Sequence, residues 1–388
     1  MYKIMFSAGE VSGDLHGAAI AKALKKIQPD SKLFGFGGEK MRSAGVDILY
    51  DMKDYNVMGF WEVLKNLRRM FKLRDDLLQV IQREKPDLLI LIDYPDFNWR
   101  LAKKAKKLGV PIFSYIPPSA WAWRKDRAKL VARLADKIVA IFPFELPVYE
   151  AVGANIEFVG NPMIDSVKAE MDKKAAATYF AANLNNPNIL LLPGSRRQEV
   201  MILLPEMLKA AQVVYAKYPE TKFYLPAAAT IPRAMLEQII EPFHVPIHIT
   251  DTYTYDLMNI CDAALATSGT VTLEAALMEL PTVVLYKMSP ISYFIGNLLI
   301  HVPNFSLPNI IAGERIIPEL LQKQVNTERI TQEILALFKG TAGAAAVKLM
   351  LAQTKAKLGQ PHAVDRVAKL IIETADHCAL KNAKKNRD

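Results

Sequence analysis

Short apolar runs rich in β-branched and aromatic residues alternate along this chain with longer segments of helical periodicity. Such alternation builds parallel sheets, because two parallel strands need a crossover long enough to hold a helix. The runs fall in two series. The first covers residues 2–6, 32–36, 88–92, 112–115, 137–141 and 157–159; the second covers 189–192, 222–225, 247–249, 263–266 and 282–285. Helices over 17–27, 100–108 and 205–217 are expected between them. Two series in 388 residues, too many for one small core, predict an α/β chain of two doubly wound domains facing a cleft. The break is expected near Gly160-Asn161-Pro162, before a charged helix over 165–177. The resulting divisions are 1–165, 166–345 and a C-terminal helix and tail, 346–388.

Three turns join strand-like to helix-like runs. They are Ser7-Ala8-Gly9-Glu10-Val11-Ser12-Gly13-Asp14, Leu192-Pro193-Gly194-Ser195-Arg196-Arg197 and Thr267-Ser268-Gly269-Thr270, the last with Glu274 one turn on. A helix N-terminus offers unpaired N–H groups and partial positive charge, so such turns suit a phosphorylated ligand. In doubly wound sheets, ligands bind beyond the carboxyl ends of the strands, where all three turns lie.

Charge is uneven. From Arg100 to Arg133 there are ten Lys/Arg against one acid, Asp126, an imbalance as large as the whole chain's net charge of +9. That stretch is either a solvated surface or one that attracts a phosphorylated substrate, an anionic membrane or nucleic acid. No membrane span is expected from the sequence. The N-terminus lacks the features of a signal peptide. The two cysteines, Cys261 and Cys378, show no pairing or metal spacing. A reducing cytoplasm fits, and neither a metal nor a cofactor is expected.

Within residues 60–78, Phe60, Val63, Leu64, Leu67, Phe71 and Leu78 recur at helical spacing, with Lys65, Arg68, Arg69, Lys72 and Trp61 alongside. This is a core-facing helix or a basic amphipathic one lying on a membrane; Arg74 interrupts the stripe on either reading. Leu91-Ile92-Asp93-Tyr94-Pro95-Asp96-Phe97-Asn98 ends a buried-looking strand with two carboxylates and an amide. A carboxylate there can take a proton from a hydroxyl, whereas Asp96 or Asn98 can instead cap a helix from Arg100. Trp121 and Trp123, beside Arg124 and Lys125, are either core or a platform for a sugar, an acyl chain or a base. His16 is either a ligand contact or structural.

Taken together, several motifs closely resemble the lipid-A-disaccharide synthase family of bacterial glycosyltransferases. They are the Ser7–Asp14 turn, Gly35-Phe36-Gly37-Gly38, Val57-Met58-Gly59-Phe60-Trp61-Glu62-Val63-Leu64, Ile92–Asn98, Pro118-Ser119-Ala120-Trp121-Ala122-Trp123-Arg124, Leu192–Arg196, Ser268-Gly269-Thr270 with Glu274, and Ser306-Leu307-Pro308-Asn309. The likeness runs from about residue 3 to about residue 325 and is looser past Phe338. Pro117-Pro118-Ser119 stands where the family often has Ser-Pro-Ser.

The resemblance implies a GT-B architecture of two Rossmann-like domains. It implies an inverting transfer from UDP-2,3-diacylglucosamine to 2,3-diacylglucosamine 1-phosphate, giving a β-1,6-linked disaccharide 1-phosphate and UDP. Asp93 is the expected general base, with Asp96 second. Glu10, with a catalytic role, and the Ser12-Gly13 turn are expected to line the cleft from the N-terminal domain, contacting sugar or phosphate, and Asn98 is expected to bind substrate or UDP. Arg196, Ser268, Gly269 and Thr270 are expected at the diphosphate, Glu274 at the ribose, and Asn309 closing the site. Asp93-x-x-Asp96 is not the D-x-D arrangement of metal-dependent glycosyltransferases. Acylated substrates also imply a peripheral enzyme on the cytoplasmic face of the inner membrane. Its membrane contacts would be Phe60, Trp61, Val63, Leu64, Leu67, Arg68, Arg69 and Phe71. A homodimer exchanging the C-terminal segment suits the family. Two other readings are a UDP-sugar 2-epimerase on the same fold, which needs no lipid acceptor, and a nucleic-acid binder, for which no recognition motif is present.

Overall fold

The computed structural model describes residues 1–55, 60–120, 126–288 and 303–385, with 60–67 and 384–385 described as backbone only. The chain divides into two compact units, Met1–Pro162 with Gln360–Asp388, and Met163–Gly359.

The first unit holds seven strands: β1 (Lys3–Ser7), β2 (Lys32–Gly37), β3 (Asp47–Asp51), β4 (Leu88–Ile92), β5 (Ile112–Tyr115), β6 (Lys137–Ala140) and β7 (Ile156–Phe158). Their order is β3-β2-β1-β4-β5-β6-β7, and each pair runs parallel. The second holds β8 (Asn188–Leu192), β9 (Lys222–Pro226), β10 (Ile247–Thr250), β11 (Ala263–Thr267), β12 (Thr282–Tyr286) and β13 (Glu319–Leu321). Its order is β10-β9-β8-β11-β12-β13, again parallel.

Period-two packing explains the unbroken apolar strands. In β4, Leu88, Ile90 and Ile92 enter a core shared with helices Val11–Ile27 and Ala363–Lys385. Leu89 and Leu91 enter the opposite core, built with helices Phe60–Glu84 and Pro95–Ala105. A strand covered on both faces needs apolar residues at every position. Strand β8 repeats the design: Ile189 and Leu191 meet helix Arg197–Lys217, while Leu190 and Leu192 meet the core containing helix Thr254–Ile260.

The segment 346–388 is shared between the units. Helix Ala342–Lys357 stays with the second, and Ala363–Lys385 lays Val367, Ala368, Ile371 and Ala375 into the core of the first. Several helices begin earlier than the sequence suggests: at Val11, Pro95 and Arg197 rather than residues 17, 100 and 205. Pro205 therefore lies inside its helix, and Asp96 and Asn98 lie inside theirs rather than capping it. The charged helix expected over 165–177 is two short helices, Met163–Ser166 and Lys173–Tyr179. Among the described residues no helix is long and apolar enough to cross a membrane.

Asp14 links two sequence motifs. Its buried carboxylate accepts from the backbone N–H groups of Gly38, Lys40 and Met41 at 2.8, 3.0 and 3.1 Å, fastening the first helix to the start of helix Glu39–Ser43. Asp14→Ala is expected to lower unfolding free energy by about 3 kcal/mol in urea titrations, since it orphans those donors. A loss below about 0.5 kcal/mol would contradict this role.

Candidate active site

In the first sheet the strand order reverses between β1 and β4. The helix after β1 packs on one face and the helix after β4 on the other, so a crevice opens at their carboxyl ends. Asn98 governs that point. It is fully buried; its Oδ1 accepts from Ser7 Oγ at 2.6 Å, and its Nδ2 points at the carbonyls of Asp93, Ser7 and Ile92 at 2.7, 3.2 and 3.3 Å. It thereby ties the end of β1 to the end of β4.

The tie holds an unusual backbone. Asp93 and Tyr94 both lie in the left-handed region, at φ 47° and 50°, a conformation that costs about 1–3 kcal/mol per non-glycine residue. It turns the Tyr94 ring across Gly9, where an added Cβ would sit 2.3 Å from the ring, so only glycine fits. The Tyr94 hydroxyl reaches Met70 Sδ at 3.8 Å.

Asp93 is largely desolvated. Burial raises its carboxyl pKa, partly offset by the N–H of Tyr94. Glu10, at the cap of the first helix, is raised by desolvation and then by the charge of Asp93. Ser12 is exposed and Gly13 buried in that helix's first turn. Asp96 differs: its side chain is 85 % exposed and paired with Arg127 at 3.0 Å. His16 stands edge-on to Tyr115, with its pKa lowered by burial.

A further acid escaped the sequence reading. Glu145 follows β6 and is buried, accepting from the N–H groups of Ile141 and Phe142 at 3.2 and 3.1 Å. Burial pushes its pKa up to about 7; those two N–H groups oppose the rise, and Asp93 adds to it. An acid inside the apolar run Phe142-Pro143-Phe144-Glu145-Leu146, just past a strand end, was the available signal.

The second sheet reverses between β8 and β11, and the turns after these two strands line a cavity of about 390 Å³. Gly194, at φ 116°, would place a Cβ 2.5 Å from Glu199 Oε2. Arg196 caps helix Arg197–Lys217; its side chain is 83 % exposed and pairs with Glu199 at 2.9 Å. An exposed pair of this kind contributes about 0–1 kcal/mol, so the guanidinium is easily redirected. Ser268 and Gly269 lead into helix Thr270–Leu277. The cavity thus faces two helix N-termini, whose first N–H groups favour anions. Thr267 Oγ1 is buried without a partner among the described residues, and Glu274 lies half-buried on the cavity wall with its pKa raised by burial.

Asn309 does not line that cavity. It is buried, accepts from the N–H groups of Ile316 and Ile317, and donates to Ile317 O and Glu319 Oε1. All four amide valences are used within its own unit, so none is left for a ligand. Asn98 is likewise committed to the protein rather than to a substrate. Among the expected membrane residues, the side chains of Phe60, Trp61, Val63, Leu64 and Leu67 lie outside the described residues, as do Trp121 and Trp123. Arg68 and Arg69 are exposed, and Phe71 is 40 % exposed. Leu73, two residues on and nearly opposite around the helix, is fully buried with Leu77, Val80 and Ile81. The core stripe is therefore a different face from the one holding Phe71.

The raised pKa of Glu145 carries a stability prediction. The folded state binds its proton more tightly, so the contribution is complete below the ordinary carboxylate pKa. It is lost as pH rises through about 7. Urea unfolding of wild type against Glu145→Gln is expected to show a wild-type-specific loss, on the order of 3 kcal/mol, between pH 4.5 and pH 8. Parallel pH profiles would contradict it.

Comparison with known proteins gives the family and the fold. The family profile for lipid-A-disaccharide synthetase (LpxB) matches residues 4–372. Lipid-A-disaccharide synthase of Geobacter sulfurreducens is 41 % identical over 372 residues, 96 % of this chain and 97 % of that one. Among solved structures, a putative UDP-N-acetylglucosamine 2-epimerase from Listeria monocytogenes superposes with TM-score 0.65 at 16 % identity, covering 94 % of each chain. The calicheamicin glycosyltransferase superposes with TM-score 0.61 at 11 % identity, covering 98 % of this chain and 99 % of that one. These two show the shared GT-B fold, whereas the profile and the Geobacter relative decide the family: the chain belongs to the lipid-A-disaccharide synthetases, a family of glycosyltransferases.

Proposed function

We propose that the chain transfers a 2,3-diacylglucosaminyl group from its UDP derivative to the 6-hydroxyl of 2,3-diacylglucosamine 1-phosphate. Asp93 takes the hydroxyl proton as the oxygen attacks the donor's anomeric carbon. The anomeric C–O bond breaks, and its electrons leave on the diphosphate of UDP. One displacement turns an α-linked donor into a β-1,6-linked product. The observation that carries this assignment is the contrast between the two aspartates. Asp93 is desolvated at the carboxyl end of β4, which favours proton uptake, whereas Asp96 is exposed and paired with Arg127.

Glu10, Ser12 and Gly13 contact the acceptor beside Asp93. The departing diphosphate lies against the turns after β8 and β11. There Arg196 swings from Glu199, and the helix starts at Arg197 and Thr270 neutralise the charge that develops. Glu274 accepts from the ribose hydroxyls. An acceptor held in a bilayer brings the enzyme to the membrane surface, where the exposed Phe71, Arg68, Arg69 and Lys72 form the described part of the contact. In an exchanged homodimer, the surface of helix Val11–Ile27 covered by Ala363–Lys385 would receive that helix from the partner copy.

A radiolabelled assay with both lipid substrates and EDTA tests the assignment. Asp93→Asn is expected to lose about 10²–10⁴-fold in kcat/KM, and Asp96→Asn less than about tenfold. The base must be ionised, so wild-type kcat/KM falls on acidification, from a higher pH than an ordinary carboxylate would give. Asp93→Asn at full activity would overturn the base, and no disaccharide from wild type would overturn the reaction.

A further inference from the structure

Beside the candidate base lies a cavity that the chemistry above does not use. It holds about 310 Å³ and is lined by Met70, Phe71, Arg74, Tyr94, Phe97 and Arg100, with Asp96 at its edge. It lies wholly within the first unit, between helices Phe60–Glu84 and Pro95–Ala105. Phe97 and the Tyr94 ring, 5.7 Å apart, and the thioether of Met70 supply apolar surface. The guanidinium carbons of Arg74 and Arg100 stand 5.0 and 5.7 Å from the centre of the Phe71 ring. Arg74 is paired with Asp75 at 2.8 Å, whereas Arg100 has no carboxylate partner among the described residues. Tyr94 joins this cavity to the base, since it follows Asp93 in the left-handed turn and its hydroxyl meets the Met70 sulfur.

An apolar cavity with an unpaired guanidinium at its side suits a molecule that joins a hydrocarbon chain to an anionic group. We infer that the cavity between Met70, Phe71, Tyr94 and Phe97 seats an acyl chain of the acceptor lipid, with Arg100 facing that lipid's phosphate. The inference rests on the reaction proposed above, in which the acceptor is the substrate next to Asp93. It adds that this cavity, rather than the membrane, measures acceptor chain length. A water-filled polar pocket would treat all chains alike; an apolar one rewards each methylene it covers until it is full.

The test is steady-state kinetics with acceptors of graded acyl length at fixed donor, then donors of graded length at fixed acceptor. In wild type the acceptor KM is expected to fall roughly fourfold per added methylene and then level off when the cavity is full. Met70→Trp, which fills the cavity, moves that levelling to shorter acceptor chains; Met70→Ala moves it to longer ones. Should the Trp variant fail to fold, the Ala variant alone decides the direction. Wild-type curve shapes in the folded variants, or a shift in the donor series instead of the acceptor series, would overturn the assignment while leaving the reaction intact. Absence of disaccharide from wild type at every chain length would overturn the reaction and this inference with it.

Discussion

One buried amide sets the geometry of the first unit. Asn98 gathers the last carbonyls of β1 and β4 and the hydroxyl of Ser7 around a single side chain. A parallel sheet that reverses its winding leaves two strand ends whose carbonyls face no further strand, and a buried carbonyl without a donor is costly. Asn98 satisfies them. In doing so it stabilises two successive left-handed residues, and that turn carries Asp93 toward the crevice and Tyr94 over Gly9. The glycine, the asparagine and the aspartate are therefore one device, although they lie on separate stretches of sequence.

The two units divide the electrostatic labour. The first holds two desolvated acids, Asp93 and Glu145, each binding its proton more tightly than an ordinary carboxylate, while the more exposed Glu10 is raised by partial desolvation and then by the charge of Asp93. That suits proton removal from a neutral hydroxyl. The second offers helix starts and an exposed arginine around its cavity, which suit a diphosphate that gains charge as it departs.

The fold was largely legible because apolar runs covered on both faces announce parallel strands. β3 and β13 were not, since Asp47–Asp51 mixes charged and half-buried residues and Glu319–Leu321 is only three residues long. Helix starts came earlier than expected for local reasons. Gly13 reads as a turn residue, yet it sits in the first turn of the helix Val11–Ile27, buried against Ala8 and β4. Pro95 reads as a breaker, yet stands at the first helical position, where a missing N–H does no harm. Asp93 and the three turns were singled out for their places at strand ends, and they do follow β4, β1, β8 and β11. The duties of Asn98 and Asn309 were not visible. Ser7, a key partner of Asn98, is 91 residues away in sequence, and Asn309 is saturated by backbone groups of Ile316 and Ile317 and by the Glu319 carboxylate, which only the fold brings to it. Glu145 was overlooked because desolvation is a property of the packed loop rather than of its composition.

The central claim is that Asn98 acts on the reaction only by holding Asp93. A double-mutant cycle on kcat/KM with Asn98→Ala and Asp93→Asn, each checked for folding by circular dichroism, tests it most directly. The account predicts that Asn98→Ala costs at least about tenfold in the wild-type background and less than about twofold once Asp93 is already Asn. Equal losses in both backgrounds would mean that Asn98 works independently of Asp93 and would contradict the account.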